Sequence, residues 1–398
     1  MITLEKIVDA SLVLKDIVRN TDIRSTSGIA TDCKLFLKPE NLQYTGSFKL
    51  RGAGYKIAKL SDEEKMRGVI ACSAGNHAQG VALASSKCGI ESLICLPDTA
   101  PISKVEATKN YGAKTLLVEG CYDDAYQKAL ELKEEKGFTF VHPFDDEDVI
   151  AGQGTIGLEI INEFSDCDAV IVPIGGGGLI SGVATAIKSI KPSIKVYGVQ
   201  AQGAPSMFNS VKNSNIETLD SVSTIADGIA VKRPGDLTYD IINKYVDDIA
   251  LVTDDEISTA ILALIEKQKT IAEGAGAVSV AAAMFGKFPI KDKKVVSIVS
   301  GGNIDVTILS RVIDRGLLKS GRQTSVLLDL VDRPGQLKDV TRVIADMGAN
   351  VVSVQHERNV GSANVNGCYL RIVLETRNYE HVKEIIKALK NENFKIIE

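Results

Sequence analysis

The sequence is poor in the residues from which metal and disulfide sites are built. Only four histidines occur (His77, His142, His356 and His381), and no two have the i, i+4 spacing that sets a ligand pair on one helix face. The seven cysteines are dispersed, odd in number and never form C-x-x-C. They read as reduced core thiols of a cytosolic protein, with neither a disulfide framework nor zinc. No stretch approaches the roughly 20 apolar residues of a membrane span. The opening "MITLEKIVDASLVLKD" lacks the basic start, continuous apolar run and small-residue cleavage site of a signal peptide, so a cytoplasmic protein is expected. Positive charge is also missing in excess. A net charge of -5 argues against a nucleic-acid footprint and for a protein that handles small molecules.

What remains is ordinary globular composition, 44% hydrophobic and 24% charged, over 398 residues, enough for two or three domains. From about Gly68 short β-rich runs alternate with helical stretches: "GVIACS", "ESLICLP", "AKTLLVEG", "TFVHPF", "DAVIVPI", "KVYGVQA" and "KVVSIVS" each adjoin a helical segment. Nearly continuous apolar strands between helices predict parallel or mostly parallel α/β sheets covered on both faces. Ligands in such folds gather where strands end and helices begin. After Gly321 the pattern becomes strand, helix, two strands, helix and strand, a ferredoxin-like βαββαβ unit. Its first helix should bury Leu337, Val340, Ile344 and Met347, its second Val382, Ile385, Ile386 and Leu389. The polar stretch "LKSGRQ" is the expected hinge.

Four loops could carry chemistry. "VPIGGGGLISG" (172–182) sets four glycines between a buried strand and a helix, where main-chain N–H groups can converge on a phosphate. No G-K-[ST] follows, so it is not a P-loop. The nicotinamide fingerprint fails as well, because Ile180 stands at its third glycine and Gln200 replaces the acidic ribose ligand. "CSAGNHAQG" (72–80) could grip a carboxylate through Ser73, Asn76 and main-chain amides, or simply cap a helix. "VSGGN" (299–303) ends an apolar strand with a serine and two glycines, and a cap is again the plain alternative. "TGSFKLRGA" (45–53) holds Lys49 beside an aromatic ring. A phosphate cradle, a carboxylate grip and such a lysine together point to pyridoxal phosphate and an amino acid. The acidic run "DDEDV" (145–149) reads as a solvated turn.

Taken together, "SFKLRGA", "SAGNHAQG", "GGGGLISG", "TIADGIAVKRPG" and "SGGNID" resemble the fold-type-II pyridoxal-phosphate enzymes, and within them the threonine dehydratases (threonine ammonia-lyases), over about residues 1–315. Residues 324–398 resemble an ACT domain, with "DRPGQL" at its ligand loop. The resemblance implies a catalytic unit over 1–317, with a smaller subdomain of about 45–145 inserted in the larger, a linker at 318–323 and a regulatory ACT domain at 324–398. It implies Lys49 as the Schiff-base lysine that takes the α-proton, Phe48 packed on the cofactor ring and Asn76 at the ring's phenolic oxygen. Gly175, Gly176, Gly177, Gly178 and Leu179 would hold the phosphate, and Ser300 would face the pyridine nitrogen. Ser73, Ala74, Gly75, Asn76 and His77 would hold the substrate carboxylate, with His77 more a packing residue than a catalyst.

The implied reaction converts L-threonine to 2-oxobutanoate and ammonia, with L-serine to pyruvate as a second activity. The alternatives are an L-serine dehydratase or serine racemase of the same family, although Ala74 stands where racemases carry a serine. An alternative of another class is a non-catalytic amino-acid-binding regulator. Asp332, Gly335 and Leu337 would form the regulatory site for an amino-acid effector, isoleucine or valine if the enzyme is biosynthetic. A homodimer or homotetramer is expected, with no nucleic-acid or membrane partner. No metal is expected: Gln200 lies where some relatives place a divalent-metal glutamate, which weakens a magnesium site near Asp227. A potassium-like ion on main-chain carbonyls stays open.

Overall fold

The computed structural model describes residues 2–30, 32–358 and 366–397. The Gly/Asn-rich turn expected between two strands of the tail lies largely outside the described residues. Among the described residues no helix is long and apolar enough to cross a membrane. The chain divides into two compact units, Met1–Asp305 and Val306–Glu398.

The first unit opens with α1 (Leu4–Val13), β1 (Arg24–Ser25), β2 (Lys34–Pro39) and α2 (Lys49–Ala58). Then come α3 (Asp62–Arg67), β3 (Val69–Cys72), α4 (Asn76–Lys87), β4 (Ser92–Pro97), α5 (Ile102–Asn110), β5 (Lys114–Val118), α6 (Tyr122–Lys136) and β6 (Thr139–Phe140). The chain continues through α7 (Glu147–Glu163), β7 (Ala169–Pro173), α8 (Gly178–Ile190), β8 (Lys195–Ala201), α9 (Ser206–Lys212), α10 (Asp236–Tyr245), β9 (Asp248–Val252), α11 (Asp254–Gln268), α12 (Gly274–Met284) and β10 (Lys294–Val299). Strands β3 to β6 form a four-stranded parallel sheet in the order β5-β4-β3-β6. The other strands form a six-stranded sheet, β1-β2-β10-β7-β8-β9, parallel except for β1. The smaller sheet is thus inserted between β2 and β7 of the larger one.

Burial explains the strand sequences. All of β7 and β3 are buried, so every position must be apolar whichever face it points to. The larger core gathers Val170, Val172, Ile180, Val183, Val196 and Ile298, and the smaller one Leu50, Ile57, Val69, Val81, Ile94 and Leu96. One buried charge cluster fastens α2 to its neighbours. Arg51, two residues after Lys49, has no solvent exposure and bonds Glu40 with two nitrogens, each at 2.8 Å. It also reaches Glu159 at 2.6 and 2.9 Å, and Glu159 holds the buried Lys38 at 2.7 Å. Helix α2 is thereby pinned to β2 and α7 by charges whose removal from water is repaid by geometry.

The second unit consists of α13 (Val306–Lys319), β11 (Gln323–Val331), α14 (Gln336–Asp346), β12 (Asn350–Glu357), β13 (Gly367–Glu375), α15 (Tyr379–Asn391) and β14 (Lys395–Ile396). Its antiparallel sheet runs β12-β13-β11-β14. The division between units falls ahead of α13, whereas the expected linker at 318–323 forms the tight α13–β11 connection, with Gly321 at φ +65. In α14 the expected Val340 and Ile344 are buried and Met347 packs against the same core, while Val343 joins them and Leu337 is 43% exposed. In α15, Ile385 and Leu389 are buried with His381, while Val382 and Ile386 are only half-buried.

Two further expectations need correction. Cys88 and Cys121 are exposed, so only Cys72, Cys95, Cys167 and Cys368 are buried thiols. The "DDEDV" run is not simply a solvated turn. Asp146 caps α7 and pairs with Lys56 at 2.8 Å, Asp148 pairs with Lys6 at 2.8 Å, and Asp145 accepts from the N–H groups of Asp236 and Thr238 at the start of α10. Its carboxylates lie at helix starts, where unpaired N–H groups and the helix dipole favour negative charge.

Candidate active site

A cavity of about 870 Å³ in the first unit brings the loops from four separate chain segments together. Lys49 is the first residue of α2, at the end of a segment stitched to the loop after β10. Ser47 pairs with Gly301, and the Phe48 N–H donates to the Ser300 carbonyl at 3.1 Å. Gly302 N–H donates to the Gly46 carbonyl at 2.9 Å. The lysine and the serine are therefore fixed by the main chain before any side chain contributes. Lys49 Nζ donates to the Pro143 carbonyl at 2.7 Å and lies 5.3 Å from the Phe48 ring centre. Burial lowers its pKa to about 8 against the opposing charge of Glu273, so a neutral amine is within reach near physiological pH.

The glycine loop leaves β7 and enters α8, whose first N–H groups have no acceptor within the helix. Side chains would close it. A Cβ on Gly176 would overlap the Phe144 ring, and one on Gly178 would come 2.8 Å from the Phe144 carbonyl oxygen. Gly177 has φ +101, open to glycine but strained for other residues. The loop is held from outside by Thr238, whose hydroxyl donates to the Gly176 carbonyl at 2.6 Å, and by the Gly235 N–H on the same oxygen. A shallow ring of main-chain donors with no side chain in the way fits a phosphate group.

The Ser73–His77 loop joins β3 to α4. A Cβ on Gly75 would meet no atom within 4 Å, so packing does not demand this glycine and its open side faces the cavity. Ser73 Oγ accepts from the Gly75 N–H at 3.1 Å. His77 is buried, with its ring nitrogen Nε2 2.8 Å from the Val141 carbonyl. Burial, reinforced by Lys49, drives its pKa down to about 3, which keeps the ring neutral and makes Nε2 the donor. Asn76 is gripped at both ends of its amide. Its Nδ2 donates to Glu273 Oε1 at 2.6 Å, and its Oδ1 accepts from Asn303 Nδ2 at 2.8 Å. Ser300, 2% exposed, donates to the Ala275 carbonyl at a long 3.2 Å.

Pyridoxal-phosphate dependent enzymes form the family whose model matches residues 14–301, and an ACT domain matches residues 324–391. The chain belongs to the pyridoxal-phosphate dependent enzymes. It is 49% identical to an L-threonine ammonia-lyase of Thermotoga maritima over 398 residues, covering 100% of this chain and 99% of that one. A catabolic L-threonine dehydratase of Escherichia coli is 47% identical over 315 residues, 78% of this chain and 96% of its own. Among solved structures, the processed form of threonine deaminase isoform 2 from Solanum lycopersicum superposes with a TM-score of 0.76 at 39% identity, over 79% of this chain and 88% of that one. Maize serine racemase superposes at 0.75 with 37% identity, over 79% and 98%. The cofactor is accordingly pyridoxal phosphate, and the glycine cradle, the lysine and the asparagine are residues that fit it.

Several residues of the cavity escape a reading of motifs. The β6–α7 loop supplies Pro143 to Lys49 and Phe144 to the glycine loop. Neighbouring His142 accepts from the Asp145 N–H at 2.7 Å through Nδ1, and burial pushes its pKa down. Glu273, 4% exposed, comes from the start of α12, nearly 200 residues from its partner Asn76. A signal for it exists in hindsight, since it is the one acid ahead of an otherwise buried, small-residue helix. Asp227 pairs with Lys104 at 2.9 Å, and Gln200 accepts from the Phe208 N–H at 2.8 Å.

In the second unit a cavity of about 420 Å³ is lined by Asp332, Gly335, Leu337, His356, Arg358 and Cys368 among others. Asp332, His356 and Cys368 bring ligand-type atoms within 4.8 Å of one another, a grouping that sequence spacing does not show. Arg358 holds the Asp332 carboxylate at 2.9 Å, and burial pushes the Cys368 thiol up. Both effects oppose a cation, so the corner is a polar pocket with charges of both signs.

Proposed function

We propose that the protein deaminates L-threonine to 2-oxobutanoate and ammonia, and L-serine to pyruvate more slowly. The observation that carries this reading is the meeting of Lys49, the glycine cradle and the Ser73–His77 loop around one cavity, in a chain similar over its whole length to an L-threonine ammonia-lyase. The bound cofactor supplies an electrophilic carbon for the substrate amine and a conjugated ring that withdraws electrons from the substrate's Cα–H bond.

The chain supplies the rest. Gly175, Gly176, Gly177, Gly178 and Leu179 hold the phosphate on main-chain N–H groups. Asn76 would donate to the phenolic oxygen, Phe48 would pack against the ring, and Ser300 would face the ring nitrogen. A neutral hydroxyl there would not hold that nitrogen protonated, which would favour loss of the β-hydroxyl. Main-chain amides of Ser73, Ala74, Gly75, Asn76 and His77 orient the substrate carboxylate, with His77 locking the loop through Val141. Lys49 would hold the cofactor and, as a neutral amine, would accept the α-proton, a task that its depressed pKa suits. Ala74 carries no hydroxyl with which to serve the opposite face, so racemisation is not favoured.

The second unit's pocket takes an amino-acid effector on the strand-to-helix turn at Asp332, Gly335 and Leu337. Isoleucine and valine are the first candidates. The unit pairs with a second copy of itself, and the enzyme is a homo-oligomer. Effector and substrate then share one coupling free energy, so each alters the other's affinity by the same factor.

Steady-state assays on threonine and serine, with and without isoleucine and valine, test both halves. No ammonia release from either substrate by the cofactor-saturated protein would refute the catalytic reading. An unchanged amino-acid response in Asp332→Ala would refute the regulatory one.

A further inference from the structure

We propose that Glu273 is a positioning residue which, with Asn303, locks the side-chain amide of Asn76 so that its remaining N–H points into the cavity at the phenolic oxygen of the cofactor. The inference rests on the reading above, in which Asn76 meets that oxygen, and adds what makes the meeting one-way. An asparagine amide has one acceptor and two donor hydrogens, and a half-turn about its last bond exchanges them. Its orientation is set by its neighbours.

Here the polarity is anchored in the main chain. Asn303 Nδ2 donates to the Thr45 carbonyl at 2.8 Å, which identifies that group as the NH₂ end. The same nitrogen lies 2.8 Å from Asn76 Oδ1, which must therefore be the acceptor. Asn76 Nδ2 then spends one hydrogen on Glu273 Oε1 at 2.6 Å. A flipped amide would set oxygen against the Glu273 carboxyl and NH₂ against the NH₂ of Asn303, two repulsive contacts in place of two bonds. The second Nδ2 hydrogen is left for the cavity.

Glu273 is itself held firmly. Its N–H donates to the Gly301 carbonyl at 3.1 Å, and its carboxyl occupies space that a side chain at Gly301 would fill. It stands immediately before α12, where helix N–H groups favour an acceptor. Burial, aided by the charge of Asp227, pushes its carboxyl up to about 7. In the neutral acid the carbonyl oxygen can still accept the Asn76 hydrogen, and the Asn303 NH₂, fixed on the Thr45 carbonyl, then keeps the amide from turning.

The test uses the full chain and the variants Glu273→Ala, Glu273→Gln and Asn303→Ala. Each is titrated with pyridoxal phosphate while the visible band of the bound cofactor, its change with pH and the dissociation constant are recorded. Cofactor-free melting curves report folding separately. Glu273→Ala and Asn303→Ala are expected to bind the cofactor on the order of tenfold more weakly, the loss of one oriented hydrogen bond. Both should shift the pH midpoint of the visible band, since the phenolic oxygen loses its fixed donor. Glu273→Gln, which still accepts through its amide oxygen, should stay close to wild type.

Unchanged spectra and affinity in both alanine variants overturn the proposal, even if melting temperatures fall. So does a glutamine variant as impaired as the alanine one, because charge rather than acceptance would then be the requirement. If Glu273→Ala does not fold, Asn303→Ala decides by the same readouts. A wild-type protein that gives no visible band would instead sink the cofactor reading itself, and the lock with it.

Discussion

Replacing Arg51 by methionine probes the ion cluster that seats Lys49. Arg51 and Glu40 are fully buried, and each nitrogen–oxygen contact between them is 2.8 Å. Methionine fills the channel but leaves the Glu40 carboxylate with the Thr21 hydroxyl as its near partner and no bonded cation. Glu159 fares better, since Lys38 still pairs with it. Removing one member of a buried pair costs about 3–5 kcal/mol, most of it the uncompensated charge left behind. The Met1–Asp305 unit has an unfolding entropy of about 0.6 kcal/mol/K on a per-residue average, so melting should fall by about 5–8 °C at pH 7. The pH dependence is more diagnostic. Burial pushes the Glu40 carboxyl up, but the charge and hydrogen bonds of Arg51 more than offset this and hold it below its ordinary value. In the wild type, Glu40 therefore contributes stability that is present above the unfolded carboxyl pKa of about 4.5 and is lost as pH falls through the lower folded value. In Arg51→Met burial is opposed only by the Thr21 hydroxyl and the charge of Lys38, and the carboxyl takes a proton at higher pH. The gap between the two proteins should be widest at pH 7 and narrow as pH drops below about 5. Thermal or urea unfolding of the cofactor-saturated proteins from pH 4 to 8 measures it. A loss under 1 kcal/mol at pH 7, or a gap that widens in acid, would refute the reasoning.

Lys49→Ala should abolish the visible band of the bound cofactor and lower kcat by at least about 10²-fold, the scale of a lost general base; unchanged spectra would remove the lysine from its role. In the cofactor-free protein, Lys49→Met should be more stable than wild type at pH 7 by roughly 1–3 kcal/mol, because a buried amine titrating at about 8 opposes folding while charged. The stability due to a neutral Lys49 is complete above its unfolded pKa of 10.5 and lost as pH falls through 8, so the difference should shrink between those values in a melting series. Gly176→Ala should weaken cofactor binding by more than about tenfold, measured by dialysis and absorbance, since its Cβ would displace the Phe144 ring that backs the loop.

The sequence by itself determined the elements that local chemistry dictates. Apolar runs such as "DAVIVPI" read as buried parallel strands, and four consecutive glycines before a helix favoured an N-terminus open to a ligand over tight helix-strand packing. Lys49, Asn76 and Ser300 stood out in the sequence because their short runs together resemble one family of enzymes. The burial of Arg51 and the role of Glu273 were not legible. Arg51 lies in the lysine run, but its partner Glu40 precedes it by 11 residues outside that run and Glu159 follows it by 108, while Glu273 serves an asparagine nearly 200 residues away. The same holds for Asp332, His356 and Cys368, which meet only because three strands pair side by side. Distant charges find one another through packing, and packing is set by the whole chain. Local pattern chose the strands, the helices and the candidate lysine; the tertiary structure decided which buried groups surround that lysine and Asn76.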